Sequence, residues 1–159
     1  MDKNNKMLSA LNSLLAYKLT AVNKHREDAE MCVNWGYGNL QIAIKKQATD
    51  EMRHAMWLIG RIIFFDGTPT ASLLNVLKKS NAVSEMNNYN NGNESGEEHV
   101  YNEAIRIALE CGDQGTVDLL AKIMKMQERY VDFAEIHGLQ IVQKNHENYL
   151  FNQTLRQAS

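Results

Sequence analysis

A single proline, Pro69, stands in this chain of 159 residues. Proline lacks a backbone donor and clashes with the preceding helical turn. Its near absence leaves long stretches on either side free to run as continuous helix. The apolar residues use that freedom with a helical period. Leu8, Leu11, Leu15, Val22, Ala29 and Cys32 recur at spacings of three, four and seven, which predicts a first helix over about 4–34. Gly36 and Gly38 end it. A second stripe, Ile44, Ala48, Ala55, Leu58, Ile62 and Phe65, predicts a helix over about 39–65, closed by Asp66-Gly67-Thr68-Pro69.

Beyond Pro69, residues 70–82 read as a long connection, with Leu73, Leu74, Val76 and Leu77 expected to pack across the bundle. A third helix is clear over about 97–111. Its start is not, because the run Asn87 to Asn93 is rich in Asn and Gly, which disfavour helix interiors. Gly112-Asp113 ends it. A fourth helix is expected over about 114–144, with Leu120, Ile123, Ala134 and Ile141 on its stripe, and a short fifth over about 146–156. Two short connections and one long crossover between helices two and three describe an all-α, ferritin-like four-helix bundle. The chain is expected to form one domain over 1–159, since its length suits a single core.

The formal net charge of −2 gives no electrostatic case for nucleic acid. No stretch is apolar for long enough to span a bilayer, and the N-terminus lacks a signal-peptide pattern, so a cytoplasmic location is expected. Cys32 and Cys111 lie outside any CxxC pair and read as buried free thiols.

Polar residues on the inward stripes carry the functional signal. Lys18 lies between Leu15 and Val22, with His25 further along. Glu51 lies between Ala48 and Ala55, followed by His54. Gln127 and Tyr130 lie between Ile123 and Ala134. Glu51 and His54, at i and i+3, share one helix face. A carboxylate and an imidazole are apt ligands for ferrous iron. In an antiparallel bundle all these positions fall at similar heights.

With those residues in place, the chain resembles the bacterioferritin family. The matching segments are Leu19-Thr20-Ala21-Val22-Asn23, Met31-Cys32-Val33-Asn34-Trp35-Gly36, Asp50-Glu51-Met52-Arg53-His54-Ala55, Arg61 through Pro69, and Asn148-Tyr149-Leu150. The resemblance implies a 24-mer cage, homo- or hetero-oligomeric, that stores a ferric iron mineral. It also implies haem b held by Met52 at a two-fold axis and a ferredoxin-type electron donor. Carried over by position, the family's di-iron ligands fall on Lys18, Glu51, His54, Glu94, Gln127 and Tyr130. Glu51, His54 and Glu94 keep ligand chemistry. Lys18, Gln127 and Tyr130 depart from two glutamates and a histidine.

A lysine ammonium in that pocket repels ferrous iron, and a glutamine amide cannot neutralise it. The expectation is that Lys18 replaces the missing cation by pairing with Glu51 or Glu94, with Gln127 and Tyr130 completing the hydrogen bonds. The competing structural reading has Lys18 snorkelling to the surface. An inner-surface iron site of the family retains Asp50 but has Lys46 as its partner. Met52 points about 100° away from Glu51. Leu19 and Asn23 match the haem-pocket wall, while Arg26, Lys45 and Thr49 replace bulkier residues; Arg26 and Lys45 suit haem propionates. Trp57 and Met56 read as interface or packing residues. The resulting expectation is a haem-binding storage subunit that relies on a catalytic partner subunit. The alternatives are an active ferroxidase with a rearranged di-iron centre, including His25, and a haem-binding oligomer without mineral.

Overall fold

Helices account for every regular element among the described residues. The computed structural model describes residues 2–73, 80–143 and 150–154, without the side chains of 84, 87–96 and 131–143. The expected fourth-helix residues Ala134 and Ile141 and the crossover residues Leu74, Val76 and Leu77 therefore lie outside the described side chains. Four long helices follow in order: α1 (Lys3–Asn34), α2 (Gly38–Phe64), α3 (Val83–Glu110) and α4 (Gln114–Gln143).

Each turn between paired helices has a local cause. Asp2 caps α1 by accepting from the Asn4 amide. Gly36, at φ +78°, supplies the left-handed residue between α1 and α2. Gly112, at φ +69°, does the same between α3 and α4. Asp113 then caps α4, its carboxylate accepting from the Thr116 amide at 3.1 Å. Arg61, from the far end of α2, donates to that carboxylate at 2.7 Å and to the Thr116 hydroxyl at 2.9 Å. The three helix ends are thereby tied together.

α1 packs on α2 and α3, and α4 packs on α3 and α2, which leaves α1 and α4 on opposite corners. Two apolar clusters fill the interior. One gathers Met7, Leu11, Leu14, Leu15, Leu58, Ile62, Tyr101, Ala104, Ala108, Leu120 and Ile123. The other gathers Ala29, Cys32, Leu40, Ile44, Val83 and Met86. Between them, on α1, α2 and α3, lie the polar residues of the interior.

The backbone of α3 is helical through the Asn-rich run, although Asn and Gly there argue against helix. Val83 and Met86 are anchored in one cluster, and Tyr101, Ala104 and Ala108 in the other. Tertiary packing at both ends overrides the weak local preference. Leu73 departs from expectation: it is exposed rather than packed across the bundle. The crossover is instead held by polar contacts. Asn12 donates to the Thr68 carbonyl at 3.1 Å and accepts from the Thr70 amide at 2.8 Å. Further on, the buried Lys24 ammonium binds Asp28 at 2.9 Å and Ser80 at 2.7 Å.

Of the expected fifth helix, residues 144–149 and 155–159 lie outside the described residues. The backbone at 150–152 is helical. Asn39, beside the start of α2, binds this segment through the carbonyls of Gln153 at 2.7 Å and Thr154 at 3.0 Å. Both cysteines are free, but only Cys32 is buried; Cys111 is partly exposed, contrary to the sequence reading.

Candidate functional site

The four helices each contribute one side chain to a single buried charge centre. Lys18 of α1 sits in the middle. Its Nζ lies 2.8 Å from Glu51 Oε2 of α2 and 2.8 Å from Glu97 Oε1 of α3. It donates to Gln127 Oε1 of α4 at 2.7 Å. Gln127 turns its amide nitrogen to Glu97 Oε2 at 3.2 Å, so one side chain serves both partners. An ammonium has three donors, and this geometry supplies three acceptors. Lys18 is 0% exposed, and Glu51 and Glu97 are each 1% exposed. It does not snorkel.

Burial works against the Lys18 ammonium, but Tyr101, Glu97 and Glu51 around it outweigh that and push its pKa up. Burial also raises the Glu97 carboxyl; Lys18 opposes this, while the like charge of Glu51 adds to it. The Tyr101 ring lies 5.5 Å from Lys18 Nζ and closes one side of the pocket.

Glu97 was not among the expected site residues. The sequence does carry its signal: Glu97, Tyr101, Ala104 and Ala108 recur at spacings of four, three and four, and all are buried. Glu94 was favoured by family position alone, and its side chain lies outside the described residues. Tyr130 differs from expectation. Its hydroxyl does not join the Lys18 centre but donates to Asp50. Asp50 also receives Lys46 at 3.3 Å, with Arg53 at 3.9 Å. Burial would raise its pKa, yet Tyr130, Lys46 and Arg53 together hold it below the usual carboxylate range.

His54 stands beside this centre, 0% exposed. Neither ring nitrogen has a hydrogen-bond partner among the described residues, and neither does Glu51 Oε1. Burial, with Lys18 adding repulsion, lowers the imidazole to about 4. Its ring lies 5.5 Å from that of Trp57, which carries Lys122 at 4.1 Å on its face. His25 is buried on α1. Among the described residues, no three His, Cys, Asp or Glu side chains are grouped to hold a metal ion.

The expected haem residues lie on a different face. Met52 and Leu19 are half-buried against the larger cluster. Asn23, Arg26 and Lys45 are exposed. From Met52 an apolar strip runs along α2 through Met56, Ile59 and Ile63, with Met56 61% and Ile63 59% exposed. No helix among the described residues is long and apolar enough to cross a membrane.

A four-helix bundle with one long crossover and a polar centre fed by all four helices defines a ferritin-like protein. The comparisons agree: the family model Ferritin, a ferritin-like domain, matches residues 8–138. The bacterioferritin of Brucella melitensis biotype 1 is 30% identical over 130 residues, 82% of this chain and 81% of the relative. That of Mycobacterium avium is 29% identical over 135 residues, 85% of each chain. The solved structure of Mycobacterium tuberculosis bacterioferritin BfrA superposes with a TM-score of 0.91 at 26% identity, covering 95% of both chains. The chain belongs to the ferritin-like family and, within it, to the bacterioferritins.

Proposed function

We propose that this chain is an iron-storage cage subunit whose own di-iron oxidation centre has been replaced by an internal cation, and which relies on a partner subunit with an intact centre. The observation that carries this reading is the Lys18 ammonium, within 2.8 Å of oxygens on Glu51, Glu97 and Gln127. The residues at this centre do not fit two metal ions. The oxygens that would ligate iron already hold an ammonium. A divalent ion about 4 Å from that ammonium meets about 8 kcal/mol of repulsion at an effective dielectric of about 20. Gln127 brings no charge from α4, and Tyr130 is engaged by Asp50.

The residues around Met52 do fit a haem. A thioether at Met52, an apolar side chain at Leu19, and exposed basic groups at Arg26 and Lys45 match the chemistry of a macrocycle with two propionates. In this reading Met52, with its counterpart in a second subunit, would hold the haem through its thioether. The haem, once bound, supplies one-electron transfer to the stored mineral, with electrons delivered by a ferredoxin-type donor. The cage is homo- or hetero-oligomeric, and the subunit works in the cytoplasm.

The test is stopped-flow oxidation of Fe²⁺ by the metal-free homo-oligomer, together with its visible spectrum. The expected result is iron oxidation at the uncatalysed background, with a haem band that Met52→Ala removes. A fast phase that saturates at two irons per chain and disappears in Glu51→Ala overturns it. That outcome supports a second reading, in which Lys18 swings aside and His54, whose ring nitrogens are unpaired among the described residues, becomes a ligand with Glu51. Haem without mineral iron in the purified oligomer indicates a haem-binding role instead.

A further inference from the structure

We infer that the groove where α2 lies against α4 is a binding site for inorganic phosphate, held by Arg53, Lys122 and Arg129, with Lys46 and Lys125 at its rim. Three contacts fix the register of the two helices. Arg61 meets Thr116, the Trp57 ring meets Lys122, and Asp50 meets Tyr130. One number falls as the other rises, so the helices run antiparallel. Arg53 stands about one turn from Asp50 and one from Trp57. It therefore lies level with the stretch of α4 from Lys122 to Tyr130, which also carries Lys125 and Arg129. At about 1.5 Å per residue that stretch is about 12 Å long.

Charge is divided unevenly around the bundle. The formal net charge is −2, yet five cations gather on this face. The described carboxylates beside them are Asp50 and Glu128. Asp50 is already claimed: it accepts from the Tyr130 hydroxyl, with Lys46 at 3.3 Å and Arg53 at 3.9 Å. Glu128 lies about 200° round α4 from Tyr130, which faces α2, so it is turned away from the groove. Lys122, Lys125 and Arg129 have no carboxylate within salt-bridge distance among the described residues. α3 shows the contrast. There Arg106 is bracketed by Glu103 and Glu110, and its charge is answered within the chain.

The cations are also placed. Lys122 Nζ rests 4.1 Å from the centre of the Trp57 ring, which holds the ammonium over α2 instead of letting it extend into water. Lys122 and Arg129 are two turns apart on one line of α4. Arg53 faces that line from the other helix and is 55% exposed, so its guanidinium is open to a ligand. A guanidinium presents paired donors that match two oxygens of one anion, and an ammonium adds a compact charge. A halide has no use for the paired donors. Phosphate, with four oxygens and more than one negative charge near neutral pH, uses both kinds of group.

The test uses the full-length oligomer with iron removed, so that no mineral surface takes up the anion. Potassium phosphate is compared with potassium chloride at constant ionic strength, by tryptophan emission and by equilibrium dialysis of labelled phosphate. The expected result is saturable phosphate binding with a change in emission, because the anion draws Lys122 from the Trp57 ring. Trp57→Phe should remove the change while Trp35 still emits. Arg53→Gln combined with Arg129→Gln should weaken binding at least about tenfold. Lys3→Gln combined with Lys6→Gln removes the same charge from α1 and should leave binding unchanged. A response to phosphate no larger than that to chloride overturns the inference, since screening alone would produce it. Equal weakening by the two double variants overturns it as well, by making net charge the cause. Saturable binding without a Trp57 signal puts the anion elsewhere and has the same force. The inference goes beyond the iron reading and does not depend on it, because no measurement here follows iron oxidation.

Discussion

The bundle interior is built two ways, and the two respond to different rules. The cluster around Leu11, Leu15, Leu58 and Ile62 is apolar on all sides. There, any side chain of similar volume satisfies the packing. One or two turns away, Lys18, Glu51 and Glu97 are equally buried, with Gln127 partly so, but here the partners are counted: the Lys18 ammonium faces three oxygens, each on a different helix. Volume settles the first layer. Charge and valence settle the second. In the second layer the Lys18 ammonium is the cation that balances the buried carboxylates.

The largest effect should come from removing the cation. Lys18→Met keeps the length of the side chain and leaves Glu51 and Glu97 buried without a counter-charge. Breaking a buried pair by deleting one partner typically costs about 3–5 kcal/mol. Urea unfolding at neutral pH should show a loss of that size. Adding Glu51→Gln and Glu97→Gln to the same chain should recover most of it, since a neutral layer has no charge to compensate. A Lys18→Met chain as stable as the wild type would mean that the carboxylates reach water, and the contrast between the two layers would fall.

The same product residue makes the control. Leu58 is fully buried in the apolar cluster. Leu58→Met conserves volume, and such exchanges usually cost less than about 1.5 kcal/mol. The two methionine variants, unfolded side by side, measure how far a counted layer differs from a filled one. A loss at Leu58→Met equal to that at Lys18→Met would show that shape, and not charge, sets the tolerance of both.

The layers also differed in how legible they were. Apolar periodicity marks helix faces regardless of what they touch, so the stripes of α1 and α2 and the crossover were readable from spacing alone. Polar intrusions on those stripes picked out Lys18, Glu51 and Gln127. Their partners were harder, because partnership is a matter of three-dimensional register. Position in the family favoured Glu94 on α3. The stripe Glu97, Tyr101, Ala104 and Ala108 favours Glu97, and Glu97 is the one seen on Lys18. Tyr130 shares the approach to the pocket with Gln127, yet its hydroxyl meets Asp50 before it can reach Lys18. The helical backbone of the Asn-rich run was opaque for a different reason: its anchors, Val83 and Tyr101, lie outside it.

The smallest expected effect tests whether counted partners matter where water can reach. Asp113 caps α4 and holds Arg61, and it is only partly exposed. Burial would raise its carboxyl, but the hydroxyl and amide of Thr116, then Arg61, lower it below the usual range. The sign follows from linkage: a depressed folded-state pKa means the unfolded chain binds the proton more readily. The stabilisation is complete above the unfolded carboxylate value of about 4 and is lost as pH falls through the lower folded value. Asp113→Ala should therefore cost about 1 kcal/mol at neutral pH, the usual worth of a cap. The gap to wild type should narrow as pH drops below about 4. Thermal unfolding of the two chains across that range reads both quantities. A constant gap would mean that Asp113 acts by backbone shape alone. A gap as large as that of Lys18→Met would mean that a partly exposed charge is as tightly counted as a buried one, and burial would no longer explain the difference between them.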